Sequence, residues 1–407
     1  MKVLLLTTYP HGGAGIACRR LQAALHVCGV SASLLTANEV GSKWPFYAER
    51  LSFLPYERDK SVRFSFSLAN FGHDLTRHPL IQEADVIHLH WINQGFLSLQ
   101  NIHQLAALDK PVVWTLHDMW AFTGGCHYSA ACDHYKTSCG NCPCLRFSGP
   151  EDLSKRIWMR KKKLFPENIR IVTCSNWLAD VARSSNLLQH FAIQSIPNPI
   201  DITVFQPVVD SERRRFRQHL GIKPGSMVLL FVAMKIADQR KGFQFLVEAL
   251  QVVRKNHPGL VIELLVLGKS EPGELAALPY PVHALGMVTE TGKLTQAYAA
   301  ADVFVIPSLE DNLPNTVMEA LACGTPVVGF NTGGIPEMVG HCQEGYIAPQ
   351  GNSALLAEGV RWVLQHPAPA MEQLRHAARR KVETCYADPV IARQYIALYE
   401  QALQESA

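Results

Sequence analysis

The chain lacks any uninterrupted apolar run approaching about 18 residues, the length a helix needs to cross a bilayer, so any membrane contact is expected to be peripheral. Its N-terminal apolar run, Val3 to Leu6, meets Thr7-Thr8-Tyr9-Pro10 at once and is too short for the core of a signal peptide. It reads as a strand. A cytoplasmic location, with or without association with the inner face of a membrane, is the expectation. Excess charge is also lacking: the net charge is +3 and looks evenly spread, which argues against nucleic acid as a general partner. No Asp-x-Asp pair stands at a suitable loop, so no divalent metal is expected to be required for chemistry at a phosphate, and no side chain stands out as a nucleophile. What is present is ordinary for a soluble globular chain, 48% hydrophobic and 18% charged, and 407 residues exceed what one core usually supports. The eleven cysteines, without a secretion signal, imply reduced thiols; five of them crowd between Cys126 and Cys144.

Short β-branched or Leu-rich runs alternate with longer helical ones, the pattern of parallel sheets covered by helices. Lys2 to Thr8 is a strand, Ala14 to Cys28 a helix and Val30 to Thr36 a strand. Between the first two lies Tyr9-Pro-His-Gly-Gly-Ala-Gly15, whose glycines allow backbone to approach a ligand at a helix N-terminus. A dinucleotide-binding loop would have another Gly where Cys18 stands. Residues Ser42 to Arg77 read as irregular and aromatic-rich. Regular structure resumes at Ala84 to His90, with a helix from Gly95 to Leu108 and a strand from Lys110 to His117. Ligands of open parallel sheets bind beyond the carboxyl ends of strands, so His117 is placed to reach a substrate hydroxyl or to serve as a packed hydrogen-bonding residue.

The cysteines run C-x5-C-x6-C-x2-C, and Cys126, Cys132, Cys139 and Cys142 are candidate ligands of a structural zinc; free buried thiols and disulfides are the alternatives. Lys155 to Phe165 interleaves six basic residues with Ile157, Trp158 and Met159. This suits an interfacial helix drawn to anionic lipid, and equally a surface helix with those apolar residues turned inward. After Pro197-Asn-Pro-Ile-Asp201, a hinge-like turn, and an Arg-rich stretch, a second α/β series begins at Met227. The expected division is 1–200, 201–385 and a last helix, 386–407, whose stripe Ile391, Tyr395, Leu398 and Ala402 packs back on the first domain. Lys235, Arg240 and Lys241 follow the first strand of the second series, where cations can neutralise a phosphate.

Pro307 to Gly329 joins a strand end, an acidic and Asn-rich loop, a helix starting near Asn315 and another strand. Asp311 and Glu319 could each accept two hydrogen bonds from a vicinal diol, as in a sugar or ribose, while the helix start between them favours an anion. Two diol readers flanking an anion site suit a sugar nucleotide; a loop acid and an ordinary helix residue are the plain alternative.

With Gly12-Gly13-Ala14-Gly15, Thr115-Leu-His117-Asp118, Ile196-Pro-Asn198-Pro-Ile-Asp201, Arg240-Lys241-Gly242 and the Pro307 to Val328 stretch in hand, the chain resembles the retaining glycosyltransferases of family 4 over nearly its whole length. The resemblance implies the GT-B fold, two Rossmann-like parallel-sheet domains facing a cleft. The cysteine block resembles bacterial enzymes of extracellular or capsular polysaccharide assembly. By position, the resemblance gives Glu319 the ribose hydroxyls, Asp311 the transferred sugar, Lys241 the diphosphate and His117 the donor sugar. It sets Gly13, Ala14 and Gly15 by the phosphate and acceptor, and Asn198, Lys235, Arg240, Glu310, Asn312, Asn315 and Thr316 around the nucleoside diphosphate sugar. The implied reaction moves a sugar, with retention, from that donor to a lipid-linked or saccharide hydroxyl. Two departures stand out. The family's first acid is usually Glu, leaving Glu310 and Asp311 as competing sugar contacts, and its usual Arg falls on Ile236. A sugar-nucleotide epimerase on the same architecture and a catalytically silent sugar-nucleotide-binding subunit are the rival expectations.

Overall fold

The computed structural model describes residues 1–406. They form two compact units, Met1–Pro199 with the helix from Asp388, and Ile200–Ala387.

In the first unit, β1 (Lys2–Thr7), β2 (Ser31–Thr36), β3 (Val86–Leu89), β4 (Val112–Leu116), β5 (Arg170–Thr173) and β6 (Ile193–Ser195) make a six-stranded sheet in the order β2-β1-β3-β4-β5-β6. Every pairing is parallel. Alternation along the strands divides the core. Val3, Leu5, Val86, Val113 and Val172 face Cys18, Leu21 and Leu25 of the helix Gly12–Val27 and Ile391, Tyr395, Leu398 and Tyr399 of the helix Asp388–Ser406. Leu4, Leu6, Ile87, Leu89, Trp114 and Leu116 face the other way, onto the helices Leu99–Ala106 and Leu153–Leu164. Burial on both faces accounts for the near-continuous apolar strands.

The second unit repeats the plan with β7 (Met227–Lys235), β8 (Ile262–Lys269), β9 (Val282–Gly286), β10 (Val303–Ile306), β11 (Val327–Phe330) and β12 (Gly345–Ala348), ordered β12-β11-β10-β7-β8-β9. Its pairings too are all parallel. In both sheets the order reverses beside the first strand, the place where open sheets leave a crevice at the strand ends.

One expectation needs correction. Ser42 to Arg77 is not wholly irregular, because Trp44–Phe53 is a helix with Pro45 in its first turn, where its missing N–H costs nothing. The Arg-rich stretch is the helix Asp210–His219. It buries no residue of its own, and its Arg213 and Arg217 pair with Asp302, which precedes β10 and also meets Arg375 at 3.4 Å. The helix read over Lys155 to Phe165, either as an interfacial element or as a surface helix with its apolar residues turned inward, is Leu153–Leu164, capped by Asp152, with Ile157, Trp158 and Lys161 buried. Its apolar side is consumed by the core, leaving Met159 as its exposed apolar residue.

Candidate functional site

In the second unit the candidate side chains come from loops at the carboxyl ends of β7, β10 and β11. After β7, Asp238 caps the turn Gln239–Lys241 by accepting the Arg240 N–H and pairs with the Arg240 guanidinium at 2.8 Å. Gly242 follows at φ +67°, and a Cβ there would overlap the Pro307 carbonyl, so only glycine lets these two loops touch. That approach delivers Lys241 to the loop after β10, where its Nζ donates to Asp311 Oδ2 at 2.5 Å. The Ser308 hydroxyl donates to the same oxygen at 3.4 Å. Gly333, in the loop after β11, has φ +55° and lies where a Cβ would overlap the Asp311 carbonyl. The Gly334 N–H donates to the Asn312 carbonyl. Three strand-end loops thus clamp Asp311.

The helix Asn315–Ala322 opens directly behind this loop, so Asn315 and Thr316 stand in its first turn. Glu319, one turn on, is 7% exposed and accepts the Tyr298 hydroxyl at 2.8 Å. Tyr298 carries no sequence signal beyond its place in the helix Thr291–Ala300; only folding brings it to Glu319. Lys235 ends β7 with its side chain outward, and Ile236 is buried in the core, so the position of the family's Arg is occupied by packing.

In the first unit, Gly13, Ala14 and Gly15 form the first turn of the helix Gly12–Val27, which begins two residues earlier than expected. Tyr9 before them stacks on Trp91 at a centroid distance of 6.0 Å, and Trp91 meets the His127 ring at a tilt, 5.4 Å away. Asp118, directly after His117, accepts His127 Nδ1 at 2.7 Å, the Trp91 indole at 2.9 Å and the Trp120 N–H at 2.9 Å. Burial alone would raise the Asp118 carboxyl; His127 and the other donors outweigh it and hold the carboxyl below its ordinary value. His90 Nδ1 and His117 Nε2 are 3.0 Å apart, and His117 Nδ1 lies 3.4 Å from the Cys174 thiol. Behind them His88 bridges the Tyr399 hydroxyl and Thr115, both at 2.7 Å. Burial pushes His117 down to about 4 and His88 to about 3, so both imidazoles are neutral near pH 7. Asn198 is buried in the turn after β6. Trp91 and His127 escaped sequence reasoning because only tertiary structure makes them neighbours of Asp118.

The cysteine block surrounds one small pocket lined by Cys126, Cys132, Cys139, Cys142 and Cys144. None of these cysteines is in a disulfide, and among the described residues no three or more His, Cys, Asp or Glu side chains form a metal-holding group. Cys126, Cys132, Cys139 and Cys142, the quartet expected to hold a structural zinc, all line this one pocket. Cys139 accepts the Gly124 N–H at 3.1 Å. Burial raises Cys139 to about 11. Lys161 lies close by, fully buried, its ammonium 3.7 Å from the Trp120 ring centroid and donating to the Thr123 carbonyl at 3.0 Å.

Comparison with known proteins is consistent with this geometry. The family model of glycosyltransferase family 4 matches residues 11–204, and that of glycosyl transferases group 1 matches residues 226–366. A putative colanic acid biosynthesis glycosyl transferase, WcaC of Escherichia coli K12, is 29% identical over 273 residues, which are 65% of this chain and 63% of that protein. The chain thus spans under two thirds of that relative's length. An alpha-maltose-1-phosphate synthase of Mycobacterium tuberculosis is 26% identical over 98% of this chain and 99% of its own length. Among solved structures, Anabaena Alr3699/HepE in complex with UDP-glucose aligns with a TM-score of 0.63 at 16% identity, covering 98% of this chain and all of that one. One family model falls on each α/β unit, and the two together take in most of the chain. The chain belongs to the family 4, group 1 glycosyltransferases and has their GT-B fold of two parallel-sheet Rossmann-like domains.

Proposed function

We propose that the protein transfers a sugar from a nucleoside diphosphate sugar to a hydroxyl acceptor, with retention of anomeric configuration. The observation that carries this reading is the cluster at the carboxyl ends of β7 and β10. Lys241 and Asp311 are paired there, and Glu319 is buried one helical turn behind them. In this reading Glu319, oriented by Tyr298, accepts the ribose hydroxyls. The first turn of Asn315–Ala322 and Lys241 stabilise the leaving diphosphate, and Asp311 or Glu310 holds the sugar hydroxyls. Neutral His117 can donate to or accept from a hydroxyl but does not compete as a cation for the phosphate. A donor phosphate oxygen takes the acceptor's proton, so no side-chain nucleophile is needed. The reaction is electrostatic and positional and requires no divalent ion.

A lipid-linked or saccharide acceptor in extracellular or capsular polysaccharide assembly fits the colanic acid relative. The test is turnover by the purified protein with a panel of nucleoside diphosphate sugars and lipid-linked or free saccharide acceptors, with product anomers assigned by NMR. Acceptor-dependent release of the nucleoside diphosphate with a retained anomer is expected. Consumption of the donor without acceptor, or donor binding with no turnover on any acceptor, would overturn the reading.

A further inference from the structure

The helix Trp44–Phe53 shows water a face it would ordinarily bury. Trp44, Tyr47, Leu51 and Leu54 recur at helical spacing and form one stripe, and Phe64 and Phe147 lie exposed in the adjoining loops. These six side chains are between 47% and 67% exposed, a concentration of large apolar groups on one helix and its adjoining loops that scattered surface residues do not make. The opposite face is well anchored. Phe53 stacks on Phe66 at 5.0 Å, and both share a small core with Leu145 and Ile157. Glu49 is buried and accepts the N–H groups of Leu68, Ala69, Asn70 and Phe71, so the helix is held in place by its inner side alone.

The same core joins the basic helix Leu153–Leu164 to this helix, since Ile157 belongs to it with Phe53, and Arg156 lies 5.8 Å over the Tyr56 ring that follows the helix. Residues 43–64 and 146–165 together hold twelve Lys and Arg and five Asp and Glu. That is a net +7 in a chain whose total is +3, so the rest is net negative and the charge is not evenly spread. The acids here are largely spent internally, Glu49 on backbone and Glu57 on Arg63 and Arg50. Lys43, Lys60, Arg146, Lys162 and Lys163 are left to present positive charge.

We propose that this face of the first unit seats on an anionic bilayer surface, with the Trp44–Leu54 stripe and Phe64 and Phe147 entering the interface while the basic residues of both segments meet lipid headgroups. Trp and Tyr favour that depth, and each Lys or Arg near an anionic surface strengthens binding about fivefold. The membrane-facing apolar element is therefore Trp44–Phe53, and the basic helix contributes charge only.

Sedimentation of the full chain with vesicles tests this. Vesicles of phosphatidylcholine with about one third phosphatidylglycerol should bind it, pure phosphatidylcholine vesicles should bind it weakly, and high salt should release it. Trp44→Ser with Leu51→Ser, both exposed and therefore tolerated by the fold, should reduce partitioning at least tenfold. Lys162→Gln with Lys163→Gln should reduce it about 25-fold. Circular dichroism of each variant should be unchanged. Absence of binding to the anionic vesicles, or binding indifferent to both pairs of substitutions, overturns the proposal. So does a Trp44-dependent dimer seen by light scattering in protein that ignores vesicles, since the stripe would then be covered by a second copy.

Discussion

Lys241 Nζ donates to Asp311 Oδ2 at 2.5 Å, joining the loop after β7 to the loop after β10 in one charge-paired contact. The two residues reach it from opposite directions. Gly242 admits the lysine loop against Pro307, and Gly333 presses on the aspartate loop from β11. A sugar hydroxyl and a phosphate oxygen arriving here would meet a carboxylate and an ammonium that already fix each other's position.

Substitution separates these roles. Lys241→Ala should lower kcat/KM by about 100-fold or more, the size of effect expected when a preorganised charge on the leaving group is removed. Asp311→Glu should preserve or raise activity and Glu310→Ala should change it little, both read from initial rates with the same donor. Strong loss from Glu310→Ala with a tolerated Asp311→Ala would reverse the assignment of the sugar contact.

Glu319 accepts a hydroxyl from Tyr298 in a buried setting, so its carboxylate is preoriented. Glu319→Ala should weaken donor binding by about 10- to 100-fold, from hydrogen bonds to a charged group worth about 1.5–3 kcal/mol. Tyr298→Phe should cost about tenfold or less. Isothermal titration with the nucleoside diphosphate alone measures both. Equal affinity in Glu319→Ala would remove that residue from the ribose site.

His88, His90 and His117 are all held below the unfolded imidazole value of about 6.5, first by burial. The unfolded chain therefore takes up protons that the folded chain refuses. Their contribution to stability is complete above about pH 6.5 and is lost as the pH falls toward 4, at up to about 1.4 kcal/mol per pH unit for each ring. Urea midpoints should drop steeply over that window. His88→Gln should start less stable, having broken the links to Tyr399 and Thr115, but should show a shallower slope.

Asp302 gathers Arg213, Arg217 and Arg375 around one half-buried carboxylate. Burial alone would raise its pKa, but the arginines and the Val228 N–H outweigh it and keep it below the ordinary value. Asp302→Asn leaves three guanidinium groups without their shared anion and should destabilise the second unit by about 3 kcal/mol. Differential scanning calorimetry should show one transition lowered while donor contacts in the native protein persist.

The sequence by itself determined the alternation of strand and helix, the parallel sheets that follow from strands apolar on both faces, and the helix that begins at Asn315. Those are local consequences of periodicity and of proline and glycine placement, and Glu319 and His117 could be singled out because strand ends and helix starts are local features. Tertiary structure alone decided the rest. Whether Lys241 faces solvent or Asp311 depends on loops that follow strands adjacent in the sheet but distant in sequence, β7 and β10 being separated by two whole strands. Tyr298 finds Glu319, and His127 finds Asp118, through packing that no spacing records. The amphipathic pattern of Leu153–Leu164 and the aromatics of Ser42 to Arg77 look alike in sequence as candidates for a surface. Only the shared core of Phe53, Phe66, Leu145 and Ile157 settled that Ile157 points inward and Trp44 outward, because a side chain's burial is fixed by what the rest of the chain brings against it.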